Sequence, residues 1–153
     1  MSTAQSLVNW SDEFSLDMPE IDAQHKVLID LINQVWVAVI KKPDRDEAIR
    51  ILVELEKYTI THFTAEEVLM RGMTYAAFKD HKDEHEKFIA RVAQEKSKIL
   101  AGQAITLEIL QFLKDWLINH ILVSDKEYAT EMKKRAAPAS TLGRFFKRFL
   151  SYG

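Results

Sequence analysis

The chain contains five histidines, His25, His62, His81, His85 and His120. Imidazole is the side chain best suited to hold a transition metal or to move a proton near neutral pH. Their spacing is informative. His81 and His85 stand four apart, so on a helix they lie about 40° apart around the axis and one turn apart along it. Both can reach one ion. His62 and Glu66 repeat that spacing with a nitrogen and a carboxylate donor. Asp125 follows His120 by five residues, which on an ideal helix turns it about 140° away. The two can face the same side only if the helix widens locally or if Asp125 reaches in from the flank; we expect the former, a π-bulge through Ile121 to Asp125.

The elements that carry these residues are helical. With four glycines and three prolines in 153 residues, the chain has few breakers. Residues 1–21 lack helical periodicity and contain Pro19, and read as an arm along the remainder. A first helix is expected over 22–41, with His25, Leu28, Ile32, Val35 and Val39 on one face, before Pro43. Asp44 can cap a second helix running to Arg71, with Ile51, Leu55, Tyr58, His62, Glu66 and Leu69 inward and Gly72 at its C′ position. A third spans 75–101, with Phe78, His81, His85, Phe88, Val92 and Ile99 inward, and Gly102 ends it. Thr106 can cap a fourth, to about Lys134, with Ile109, Leu113, Trp116 and His120 inward. Short loops between long helices imply an all-α fold, an antiparallel up-down-up-down four-helix bundle. We divide the chain into a bundle (1–135) and a linker with a basic amphipathic tail (136–153).

All five histidines therefore fall on apolar faces. One histidine on such a face is most often an ordinary core residue. Five are another matter, because each unpaired buried imidazole costs roughly 1–3 kcal/mol. A metal shared among them would compensate. The sequence has no cysteine, which excludes iron–sulfur clusters, cysteine zinc sites, thiolate haem and disulfides.

Charge excludes another class. The formal net charge is -2, yet all 23 acids precede Met132 while Lys133, Lys134, Arg135, Arg144, Lys147 and Arg148 follow it. The body is thus acidic and poorly suited to nucleic acid. No apolar run reaches the ~18 residues of a spanning helix, and no leader pattern opens the chain. A cytoplasmic protein is expected, peripheral at the inner membrane if the tail docks there.

Four segments carry a family resemblance: Ile21-Asp22-Ala23-Gln24-His25, His62-Phe63-Thr64-Ala65-Glu66-Glu67, His81-Lys82-Asp83-Glu84-His85, and Trp116-Leu117-Ile118-Asn119-His120 followed by Asp125. Over about residues 10–132 the sequence resembles a bacterial hemerythrin. The resemblance implies two non-haem iron ions. His81, His85 and His120 would bind one, His25 and His62 the other, with Glu66, Asp125 and an oxo or hydroxo group as bridges. Two octahedral irons so held keep a single vacancy, on the iron with two imidazoles, where dioxygen would bind. Imidazole with carboxylate also suits iron. The Glu-x-x-His motifs of ferritin-like di-iron enzymes do not occur here.

Leu28, Ile32, Phe63, Trp116 and Leu117 are expected to wall the vacancy and keep out water. Glu67 reads as a solvated or inter-helix acid. Asp83, Glu84 and Glu86 read as a solvated face from which one acid can orient an imidazole. The expected function is reversible dioxygen binding by a monomer that is not an enzyme. The alternatives are a di-iron peroxidase, a nitric-oxide-handling enzyme and an oxygen sensor. Wound as a helix, residues 142–150 would place Leu142, Phe145, Phe146 and Phe149 opposite Arg144, Lys147 and Arg148. That face suits a membrane surface or a membrane oxidase, or packing on the bundle itself.

Overall fold

The computed structural model describes residues 6–42 and 44–135. The tail and its expected docking lie outside them. Four helical rods form the described part: α1 (Pro19–Lys41), α2 (Arg45–Gly72), α3 (Phe78–Leu100), and a fourth built from α4 (Leu107–Asn119), a π-helical segment (His120–Asp125) and α5 (Lys126–Lys134). Packing joins α1 to α2, α2 to α3, α3 to α4 and α4 back to α1. With short connections, that closed ring is an up-down-up-down bundle.

Local chemistry sets the helix ends. The Asp44 side chain accepts the Glu47 N–H at 2.8 Å, and Thr106 Oγ1 accepts that of Ile109 at 3.3 Å, so both expected caps form. Helix α1 begins at Pro19, earlier than the arm reading placed it. Proline at the first helical turn has a preset φ and needs no N–H partner there. The arm before it does lie on the bundle. Asn33 exchanges two hydrogen bonds with the Val8 backbone (3.0 and 2.9 Å), and Asp22 accepts from the Ser15 hydroxyl and the Leu16 N–H.

One boundary differs in a testable way. Gly72 is the last helical residue of α2 and not its left-handed terminator; Thr74 takes that position at φ 51°. Thr74 N–H reaches Arg71 O and Tyr75 N–H reaches Met70 O, the paired bonds of a Schellman motif. Because Tyr75 N–H closes α2, α3 starts at Phe78 and not at Tyr75. Gly102 does play the expected role after α3, at φ 98°. A β-branched residue is strained at positive φ. We expect Thr74→Gly, at an exposed position, to raise stability by about 1 kcal/mol. Urea denaturation of both proteins measures this, and a less stable variant would contradict it.

The core is divided. One apolar cluster contains Leu28, Leu55, Phe63, Phe88, Leu113 and Leu117, and a second contains Ile21, Met70, Tyr75, Tyr128 and Met132. On every rod a histidine sits between members of the two clusters. His25 lies between Ile21 and Leu28, His62 between Leu55 and Met70, His81 and His85 between Tyr75 and Phe88, and His120 between Leu117 and Tyr128. A polar layer therefore crosses the bundle at one height.

Candidate metal centre

Each rod contributes to this layer for a reason visible in its backbone. The four-residue spacings on α2 and α3 point their pairs inward, as regular helices require. The fourth rod departs from α-helical geometry over His120–Asp125, as expected from the five-residue spacing. The wider turn brings Asp125 to the side His120 faces. Both are buried, at 0% and 4% exposure, and the other four histidines and Glu66 are at most 3% exposed.

The donor atoms converge in two groups. His81, His85 and His120 gather with Glu66 and Asp125, and His25 and His62 gather with the same two carboxylates. Within each group the nitrogen and oxygen atoms lie within 4.8 Å of one another. Asp125 serves both sides with different oxygens. Its Oδ2 lies 3.0 Å from His25 Nε2, and its Oδ1 lies 3.2 Å from both His81 Nε2 and His120 Nε2. Glu66 Oε1 lies 3.1 Å from His62 Nε2 and 3.5 Å from His85 Nε2.

These approaches are close, yet His25 Nε2, His81 Nε2 and all four oxygens of Glu66 and Asp125 form no well-aligned hydrogen bond. Buried polar atoms rarely go unpartnered. Lone pairs aimed at a common space, and not at protons, are what metal ions require. The residues fit a pair of ions.

Electrostatics agree. Burial alone would raise the carboxyl pKa values of Glu66 and Asp125, but the surrounding imidazoles hold both well below the usual range. Burial would lower His120; the nearby Asp125 charge and the hydrogen bond to Glu84 outweigh it and push His120 up to about 10. Burial dominates at His62 and pushes it down.

A family model described as Hemerythrin HHE cation binding domain matches residues 17–132. The chain belongs to the hemerythrin family. A bacteriohemerythrin of Stenotrophomonas maltophilia (strain R551-3) is 34% identical over 151 residues, covering 94% of this chain and 98% of the relative. A hemerythrin-like protein of Naegleria gruberi is 34% identical over 127 residues, covering 83% and 95%. Among solved structures, a wild-type hemerythrin superposes with TM-score 0.75 at 33% identity, covering 81% of this chain and 96% of that one.

Around the hemerythrin layer stands a set of residues that the sequence leaves between two roles, Glu67 and Glu84, or gives no signal for, Gln24 and Tyr128. Glu67, read as a solvated or inter-helix acid, has an 18% exposed side chain, and its Oε2 accepts the His85 Nδ1 proton at 2.9 Å. Glu84 accepts from His120 Nδ1 at 2.7 Å and from the Ser124 hydroxyl at 2.6 Å. It is thus the one acid of the α3 face that orients an imidazole here. The His120 bond, more than opposing burial, lowers Glu84 to about 2. Gln24 Oε1 pairs with His62 Nδ1. The fully buried Tyr128 stands against the His81 ring at 5.4 Å between centroids. A usable signal existed. An imidazole that turns Nε2 inward needs an acceptor for Nδ1–H, and acids beside ligand positions, as Glu67 is beside Glu66 and Glu84 beside His85, are the nearest supply.

The expected apolar wall is distributed differently. Leu28, Ile32, Phe63 and Leu117 are buried. Phe63 stacks on His85 at 3.8 Å and Trp116 on His120 at 4.3 Å. These two aromatics stack in the three-histidine half, and Phe63 also lies 5.9 Å from the His62 ring of the other half.

Proposed function

We propose that this chain binds dioxygen reversibly at a non-haem di-iron centre held by His25, His62, Glu66, His81, His85, His120 and Asp125. The observation that carries the reading is the division of the donors. Two groups share both carboxylates, and one has three imidazoles while the other has two. When bound, a ferrous pair supplies reversible capture of dioxygen at the position the two-imidazole half leaves open.

The protein's own part is to hold donors and exclude water. His25 and His62 are buried at 0% and 1% exposure, and Leu28 and Ile32 follow His25 into the apolar cluster. A small uncharged gas can cross such packing more readily than an ion or a bulky substrate. Apolar surroundings also deny protons to a bound anionic ligand. The five imidazoles enter as neutral donors, so the centre has less negative charge than a glutamate-rich enzyme site.

No helix among the described residues is long and apolar enough to cross a membrane. We read the protein as a cytoplasmic monomer, and the proposed docking of the tail to a membrane surface or oxidase falls on residues outside those described. The test is anaerobic loading with ferrous iron, followed by repeated addition and removal of oxygen. A visible band that appears and vanishes over several cycles, at two irons per chain, is expected. Prompt irreversible oxidation with peroxide turnover would instead identify a peroxidase.

A further inference from the structure

The outward edges of the imidazoles differ between the two halves. In the three-histidine half, His85 and His120 donate Nδ1–H to carboxylates, Glu67 at 2.9 Å and Glu84 at 2.7 Å. Both rings are also held face-on, by Phe63 at an interplanar angle of 4° and by Trp116 at 14°. In the two-histidine half, His62 pairs with the neutral amide of Gln24, and His25 Nδ1 has no partner. The Gln24 amide nitrogen is itself without a hydrogen bond. One half is supported by two anions and two stacked rings; the other has one uncharged acceptor.

Resting on the di-iron reading, we infer that the two halves hold metal unequally, and that Glu67 and Glu84 are the positioning residues that make the three-histidine half the tighter one. A carboxylate that accepts Nδ1–H draws that proton outward and leaves more electron density on Nε2, where the cation sits. A charged acceptor also makes a stronger bond than an amide and fixes the ring more firmly. Ser124 holds Glu84 in place by donating to the same Oε2 at 2.6 Å. Metal therefore fills the three-histidine half first and leaves it last, and the half that takes dioxygen is the labile one.

Diferrous protein, checked at two irons per chain, is mixed anaerobically with excess ferrozine, and release of iron is followed by colour. Two phases of one iron each are expected. Glu84→Gln and Glu67→Gln keep an acceptor but remove its charge, and each should speed the slow phase about tenfold or more while leaving the fast phase unchanged. Gln24→Glu should slow the fast phase. Far-ultraviolet circular dichroism follows helix content throughout, and should one variant unfold, the other two still decide. Both irons leaving in a single phase would overturn the inference, as would a slow phase indifferent to both glutamate changes. Failure to reach two irons overturns the di-iron reading and the ordering with it, whereas two irons that leave together overturn the ordering alone.

Discussion

Asp125→Ala is expected to reduce iron from two per chain to one or none, abolish the oxygen-dependent band, and lower the melting temperature of the loaded protein by more than 10 °C. Asp125 is the one side chain whose separate oxygens face separate halves, Oδ2 toward His25 and Oδ1 toward His81 and His120. On the proposed di-iron reading, its loss would remove a donor from each ion and part of the charge that offsets both. Metal that binds only the folded state stabilises it through mass action, by about 4 kcal/mol at a thousandfold excess over Kd. For a bundle of this size each kcal/mol is worth roughly 2–4 °C, so losing the ions should reach the stated shift. Asp83→Ala, on the exposed face of α3, is the matched control and should keep both irons. Metal analysis with calorimetry checks the pair. An Asp125→Ala protein that retained two irons would refute the bridging role.

The second large effect is pH dependence that metal reverses. In the metal-free protein His120 is raised from 6.5 to about 10, despite opposing burial, by Asp125 and Glu84. His85 is raised as well, the nearby Glu66 carboxylate and the bond to Glu67 outweighing burial. A group raised on folding contributes stability that is complete below its unfolded pKa and is lost as pH climbs through the folded one. The metal-free bundle should thus weaken from about pH 6.5 to 10. On the acid side the signs are opposite. Glu84 falls from 4.5 to about 2 through its bond to His120, and Glu66 and Asp125 are also depressed. Their stabilisation is present above the unfolded carboxyl pKa and disappears as pH falls below it. His62, pushed down by burial, adds to the acid loss because folding keeps it neutral.

Stability of the metal-free protein should therefore peak near pH 6 and decline on both sides, with an alkaline loss on the order of a few kcal/mol. Loaded protein should lose the alkaline decline, since ions need the neutral imidazoles that high pH supplies. Thermal melts of both forms from pH 4 to 10 would show it. Metal-free protein that grew steadily more stable from pH 6.5 to 9 would rule the account out.

The bundle and its polar layer were readable in the residue order because both are periodic. A spacing of four places His81 beside His85, and His62 beside Glu66, on any regular helix, whatever surrounds it. The spacing of five from His120 to Asp125 even pointed to the π-helical segment that the fourth rod contains. Residues flanking the layer were not readable in this way. Glu67 and Glu84 stand one position from an inward residue, where a single strand of text cannot distinguish a side chain facing water from one facing the next helix. Their partners His85 and His120 lie 18 and 36 residues away, and only the packing of α2 on α3, and of α3 on the fourth rod, selects them. The positive φ at Thr74 instead of Gly72 has the same origin: where α2 ends is set by the loop that must deliver α3 in register, and that length is a property of the assembled bundle. Periodicity along one helix is a local consequence of backbone geometry, while the partner across a groove depends on the rotation and offset of two helices, which no local pattern encodes.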